Sequence, residues 1–123
     1  MKNEDRALFL LNKYGDDLYR FAFILTCSED AAGRIMTEAL EFASGNELFA
    51  DKDKDDKKIL FSRIYKSAVK NGEPALYDEE KYGKKSDTFN ELINLPLKER
   101  AIRHLCLYED MEEKEAEEVI SGK

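Results

Sequence analysis

With 123 residues the chain holds one ordinary domain, or a small domain and part of another. Its 42% hydrophobic and 38% charged residues, with 2 prolines and 6 glycines, fit a soluble, largely helical protein and exclude a disordered one. The net charge of −7 is uneven: residues 1–72 carry 12 basic against 13 acidic groups, and residues 73–123 carry 8 against 14. Phosphate repulsion therefore opposes unaided nucleic-acid binding by the second half. No run of 18 apolar residues is present and the N-terminus has no signal-peptide core, so the expected location is cytoplasmic and no membrane partner is expected.

A first helix is expected over residues 5–25, with Leu8, Leu11, Leu18, Phe21, Ala22 and Leu25 as its apolar stripe. Gly15 inside it marks either a break after Tyr14 or a close helix crossing. Thr26-Cys27-Ser28-Glu29 offers a capping box, with Ser28 as a competing cap. A second helix then runs to about residue 43 on Ala32, Ile35, Met36, Ala39 and Leu40, and Ser44-Gly45-Asn46 ends it. Residues 47–58 read as a charged loop or a frayed helix start. Asp51, Asp53 and Asp55 imitate the opening of a calcium loop, but Asp56 and Ser62 stand where glycine and glutamate are needed, which leaves a solvated charged face.

The third helix is expected over residues 57–71, burying Leu60, Phe61, Ile64, Tyr65 and Ala68, with Asn71-Gly72 as its cap and Pro74 preventing resumption. Residues 73–87 read as a polar linker. Thr88 is the expected cap of a short helix carrying Phe89, Leu92 and Ile93, ended by Pro96. Two further helices follow, over residues 97–108 and 112–120. The chain is expected to be all-α. Cys27 and Cys106 sit in apolar helical settings without metal-ligand spacing and read as buried thiols, a disulfide or ligand pair being the alternative. His104 reads as structural or exposed. No phosphate loop, histidine pair or nucleophile set occurs, so neither catalysis nor a cofactor is expected.

Four stretches, in order, resemble the extracytoplasmic-function group of bacterial sigma-70-type RNA polymerase sigma factors. Lys13-Tyr14-Gly15-Asp16-Asp17-Leu18-Tyr19-Arg20-Phe21-Ala22 is similar to that family's opening helix. Ser28-Glu29-Asp30-Ala31-Ala32 followed by Ile35 resembles the start of its polymerase-binding helix. Leu60-Phe61-Ser62-Arg63-Ile64-Tyr65-Lys66-Ser67 resembles its Trp-Leu-x-x-Ile-Ala-x-Asn pattern in the helix that recognises and opens the promoter −10 element. Leu95-Pro96-Leu97-Lys98-Glu99-Arg100-Ala101 resembles the Leu-Pro-x-x-x-Arg entry to its −35-reading domain.

The resemblance implies a sigma-factor region 2-like helical bundle over residues 1–72, a tether over 73–87, and a truncated region 4-like segment over 88–123. With the sequence ending at Lys123, that segment is expected to be an incomplete helix-turn-helix remnant without the helix that reads base edges. Polymerase core binding is expected from Gly33, Met36, Thr37, Leu40 and Glu41. Gly33, Met36 and Thr37 stand where the family carries Asp-x-x-Gln-Glu, so its usual polar anchors are absent. Promoter DNA contact is expected from Arg63, Lys66 and Lys70, which share one helix face, with Phe61 and Tyr65 stacking on unpaired bases. The bland alternative is a solvated basic stripe beside core aromatics; for Met36 it is a core methionine.

Two functional readings follow. One is a transcription initiation protein binding RNA polymerase core and promoter −10 DNA. The other is a degenerate sigma-like interaction or regulatory module whose acidic tail docks a partner, such as a regulator of the anti-sigma type, without opening DNA. Apolar surface left uncovered at the C-terminal end needs either the first domain or a second copy of the chain to cover it.

Overall fold

The computed structural model describes residues 3–44 and 53–122. Among them the protein is all-α, with seven helices and no strand: α1 (Asn3–Thr26), α2 (Glu29–Ser44), α3 (Asp53–Asn71), α4 (Glu79–Tyr82), α5 (Asp87–Ile93), α6 (Leu97–Tyr108) and α7 (Glu113–Ser121). Gly45, Asn46 and Asp51 of the expected helix end and acidic loop lie outside the described residues.

Helix α1 is unbroken through Gly15, which rules out the break after Tyr14. A Cβ there would stand 3.2 Å from Leu11 Cδ1 and 3.8 Å from Met36 Cε of α2. Both atoms are side-chain ends, and Leu11 is exposed, so one methyl group fits after a small adjustment. Gly15→Ala is therefore expected to raise the unfolding free energy by about 0.5–1 kcal/mol, because alanine is the better helix former. Urea unfolding followed by circular dichroism measures it, and a net loss would show that the crossing tolerates no added carbon.

The face that α1 buries is turned from the expected one at its N-terminal end. Leu10 and Tyr14 are buried, two turns and one turn before Leu18, while Leu8 and Leu11 are exposed. Four-residue steps back from Leu18 stay on the side that Phe21 and Leu25 define, and Leu8 lies well round the helix from it.

The α1–α2 corner divides the two candidate caps between two jobs. Thr26 Oγ1 donates back to the Ala22 carbonyl at 2.9 Å and closes α1. Cys27 takes a left-handed φ of 53°, and Ser28 Oγ accepts the Ala31 N–H at 3.2 Å to open α2. Helix α2 packs through Ala31, Ala32, Ile35, Met36, Ala39 and Ala43, and these small side chains let its axis come close to α1.

Helix α3 starts at Asp53, ahead of the expected residue 57, and ends at Gly72 with φ 98°. The polar stretch after it is fastened to the bundle. The Ala75 N–H donates to the Thr26 carbonyl at 2.9 Å, and the Glu29 N–H donates to the Tyr82 hydroxyl at 3.1 Å. Ser86, not Thr88, caps α5, its Oγ accepting the Phe89 N–H at 3.1 Å.

One cluster of buried side chains runs through α1, α2, α3, α5, α6 and α7. Phe21 is its hub: its ring meets Phe61 of α3 edge-on at 5.1 Å and His104 of α6 at 5.3 Å. Lys57 adds an ionic tie, reaching Asp17 of α1 at 2.8 Å and Glu109 after α6 at 2.7 Å. Burial opposes its charge, yet these two carboxylates hold its ammonium pKa above the ordinary value. Both cysteines are free thiols, Cys27 buried and Cys106 half-buried. No described helix is long and apolar enough to cross a membrane.

Candidate protein-docking and nucleic-acid faces

The residues expected to meet a polymerase separate into two groups on α2. Met36 is buried with its methyl group near the α1 crossing, and Leu40 is half-buried against the core, so both serve packing. Gly33, Thr37 and Glu41 form a four-residue-step stripe on the outer side. Nothing lies within 4 Å of a Cβ placed at Gly33, Thr37 donates only to the Gly33 carbonyl at 2.9 Å, and Glu41 is exposed. Arg34 and Glu38 extend the same open surface, with Arg34 bonded to Asn71 at the end of α3.

The five residues expected to touch DNA do not share one open surface. Phe61 is 0% exposed and locked against Phe21, which corrects its expected role: no face of that ring is left for a base. Tyr65 is half-buried against the core, and burial pushes its phenol pKa up. The Arg63 guanidinium lies 4.3 Å over the Phe42 ring of α2 in a cation–π contact. Lys66 and Lys70 are exposed.

Acidic α7 lies along the flank of α3. Lys58 pairs with Glu115 at 3.2 Å, and a Cβ at Gly122 would come within 2.6 Å of Lys66 Nζ, so Lys66 reaches the C-terminal end of α7. That end carries the negative pole of the helix, which suits an ammonium group. Ala116, Val119 and Ile120 of α7 turn into the core, and Glu113, Glu117 and Glu118 turn outward.

Compared with models of protein families, with curated proteins and with solved structures, the chain matches none.

Sequence reasoning missed the burial of Asp56, Ser62 and Arg100, left His104 as structural or exposed, and missed the groove beside that histidine. Arg100 is 7% exposed, its Nη1 donating to the Ile24 carbonyl at 2.9 Å and its Nη2 to the Ile93 carbonyl at 2.6 Å. His104 is 0% exposed and, among the described residues, neither ring nitrogen has a hydrogen-bond partner. Desolvation, helped by Arg20 and opposed by Asp17, lowers the imidazole pKa to about 4, so the ring is neutral at physiological pH. The sequence did hold one signal: Arg100, Ala101, His104 and Leu105 share one face at three- and four-residue steps.

Proposed function

We propose that this protein is a non-catalytic docking module that binds a larger protein through the outer face of α2. By the sigma-factor resemblance, that partner is the RNA polymerase core. The observation that carries the proposal is the open stripe of Gly33, Thr37 and Glu41, set on a helix whose opposite side is committed to the core. A helix held this way offers a surface whose side chains are free while its backbone is fixed, which limits the ordering cost of association.

Docking without DNA opening is the form of this reading that the geometry favours. Phe61 has no exposed ring face, Arg63 is spent on Phe42, Lys58 is paired with Glu115 of α7, and Lys66 reaches the C-terminal end of α7 at Gly122. Promoter contact keeps only Lys66 and Lys70 of its expected set in the open. The outward glutamates of α7 supply a second, acidic surface suited to a basic regulator.

Pull-down of purified polymerase core by the tagged protein tests the reading. Core is expected to bind at micromolar concentration, and the double variant Thr37→Arg, Glu41→Arg is expected to weaken binding by about tenfold or more. Lys66→Glu is expected to leave core binding unchanged. No capture of core at micromolar concentration would sink the polymerase assignment. Binding of single-stranded promoter DNA that falls both with salt and with Lys66→Glu would restore the DNA-contact form.

A further inference from the structure

A cleft of about 510 Å³ opens between the second half of α1, the start of α2, the α4–α5 segment and the end of α6. Its size falls within the range of small-molecule sites, and aromatic side chains make up much of its lining. Phe23 is the centre of one wall: it stacks with Tyr19 at 6.3 Å and Phe89 at 6.4 Å, and meets Tyr82 edge-on at 5.0 Å. Tyr82 is fixed in place by the N–H that opens α2. The charged groups on the lining are balanced, Arg20 and Lys85 against Asp16 and Glu29, so charge alone selects little there. Ring stacking and hydrogen bonding must select instead.

The hydrogen-bonding group at the base of the cleft is His104. A neutral imidazole carries one N–H donor and one lone-pair acceptor on opposite sides of the ring. Folded proteins rarely leave such groups buried and unmatched, and a ligand not present in the free chain is one reason they do so. Tyr108 lines the cleft beside His104, its ring 4.6 Å from the imidazole with the Arg20 guanidinium 5.3 Å over it. Tyr108 is 36% exposed and makes no side-chain hydrogen bond among the described residues, so turning it outward breaks none.

We propose that this cleft binds a planar bicyclic heterocycle of the purine or pteridine type, whose ring displaces Tyr108 and whose polar edge pairs with the His104 imidazole. The aromatic wall around Phe23 stacks on the ligand face, and His104 distinguishes a heterocycle from a hydrocarbon of the same shape. This site is separate from the outer face of α2 and does not depend on what docks there.

Nuclear magnetic resonance on the full chain with ¹⁵N-labelled histidine tests it, using adenine, guanine and pterin as probes and a naphthalene sulfonate as the hydrocarbon control. At least one heterocycle is expected to move the His104 ring nitrogens saturably below millimolar concentration, and the control is expected to leave them in place. Tyr108→Ala, at an exposed position, is expected to tighten the heterocycle by about tenfold, since the competing ring is gone. His104→Phe is expected to erase the preference for heterocycle over control. No movement of the His104 nitrogens by any probe at millimolar concentration overturns the proposal. So does tighter binding by the parent than by Tyr108→Ala, or capture of single-stranded oligonucleotide with no capture of free heterocycle.

Discussion

Replacing Arg100 with methionine is expected to lower the unfolding free energy by about 3 kcal/mol, from two hydrogen bonds to a charged group at roughly 1.5–3 kcal/mol each less the relief of a buried charge. The guanidinium ties together carbonyls in the last turns of two helices, Ile24 near the end of α1 and Ile93 at the end of α5. Terminal helix carbonyls have no intrahelical donor, and they form the negative pole of the helix, so a cation serves both needs at once. Arg100 also approaches the Cys27 thiol at the left-handed corner between α1 and α2. Burial raises the thiol pKa there, and the arginine charge partly offsets that rise. Burial likewise lowers the arginine pKa, but a guanidinium keeps its charge.

Lysine at this position has one ammonium where two carbonyls diverge, so Arg100→Lys is expected to recover only part of the loss, leaving a deficit of about 1–2 kcal/mol. Urea unfolding monitored by far-ultraviolet circular dichroism resolves both variants. A methionine variant as stable as the parent would mean that the desolvation of Arg100 cancels its hydrogen bonds, and that apolar packing alone sets α6 against α1.

The helices themselves were legible because their apolar residues recur at three- and four-residue steps. All five long segments fall where that spacing places them, with ends displaced by a few residues. Phe61 was legible as a core residue, and the base-stacking role also assigned to it is incompatible with that burial. The steps that align Arg63, Lys66 and Lys70 also align Phe61 with Leu60, Ile64 and Ala68, and the second row is the core. The turned face of α1 is a subtler matter, since Leu8, Leu10 and Leu11 are chemically near-equivalent and only the partner helices decide which are covered.

Residues 73–87 illustrate what periodicity does not carry. Tyr77 and Tyr82 are isolated among polar neighbours, so no recurrence marks them, yet both rings meet Phe23 of α1, at 6.3 and 5.0 Å. Their anchoring depends on a residue more than fifty positions away, as does the Glu29–Tyr82 bond. The cleft is invisible for the same reason: its walls come from α1, α2, the α4–α5 segment and α6, and only chain folding brings those together. Arg100 stood out in the sequence as part of a Leu-Pro-x-x-x-Arg pattern and shares a helix face with Ala101 and Leu105, but nothing local told that it meets two helix ends.

The second large effect is a loss of stability on mild acidification that His104 causes. In the unfolded chain its imidazole titrates near 6.5, and in the folded protein near 4, first because burial disfavours the cation and then because Arg20 repels it, with Asp17 acting the other way. The folded-state value is the lower one, so between these limits the unfolded chain binds a proton that the folded chain does not, and stability falls as the pH falls. The contribution is complete above pH 6.5, and it is expected to have cost about 3 kcal/mol by pH 4. Carboxylates titrate over part of the same range and add their own slope. The comparison that isolates the histidine is therefore the parent against His104→Phe, whose ring can keep contact with Phe21 and Tyr108. In that difference the carboxylate terms largely cancel, and the phenylalanine variant should gain on the parent steadily as the pH drops through this window. Equilibrium urea titrations at closely spaced pH values measure the gap directly. A gap that stays constant from neutral pH down to 4 would require the folded imidazole to bind its proton as readily as the unfolded one. That would happen only if a donor–acceptor partner or water reaches the ring, and among the described residues neither ring nitrogen has a partner.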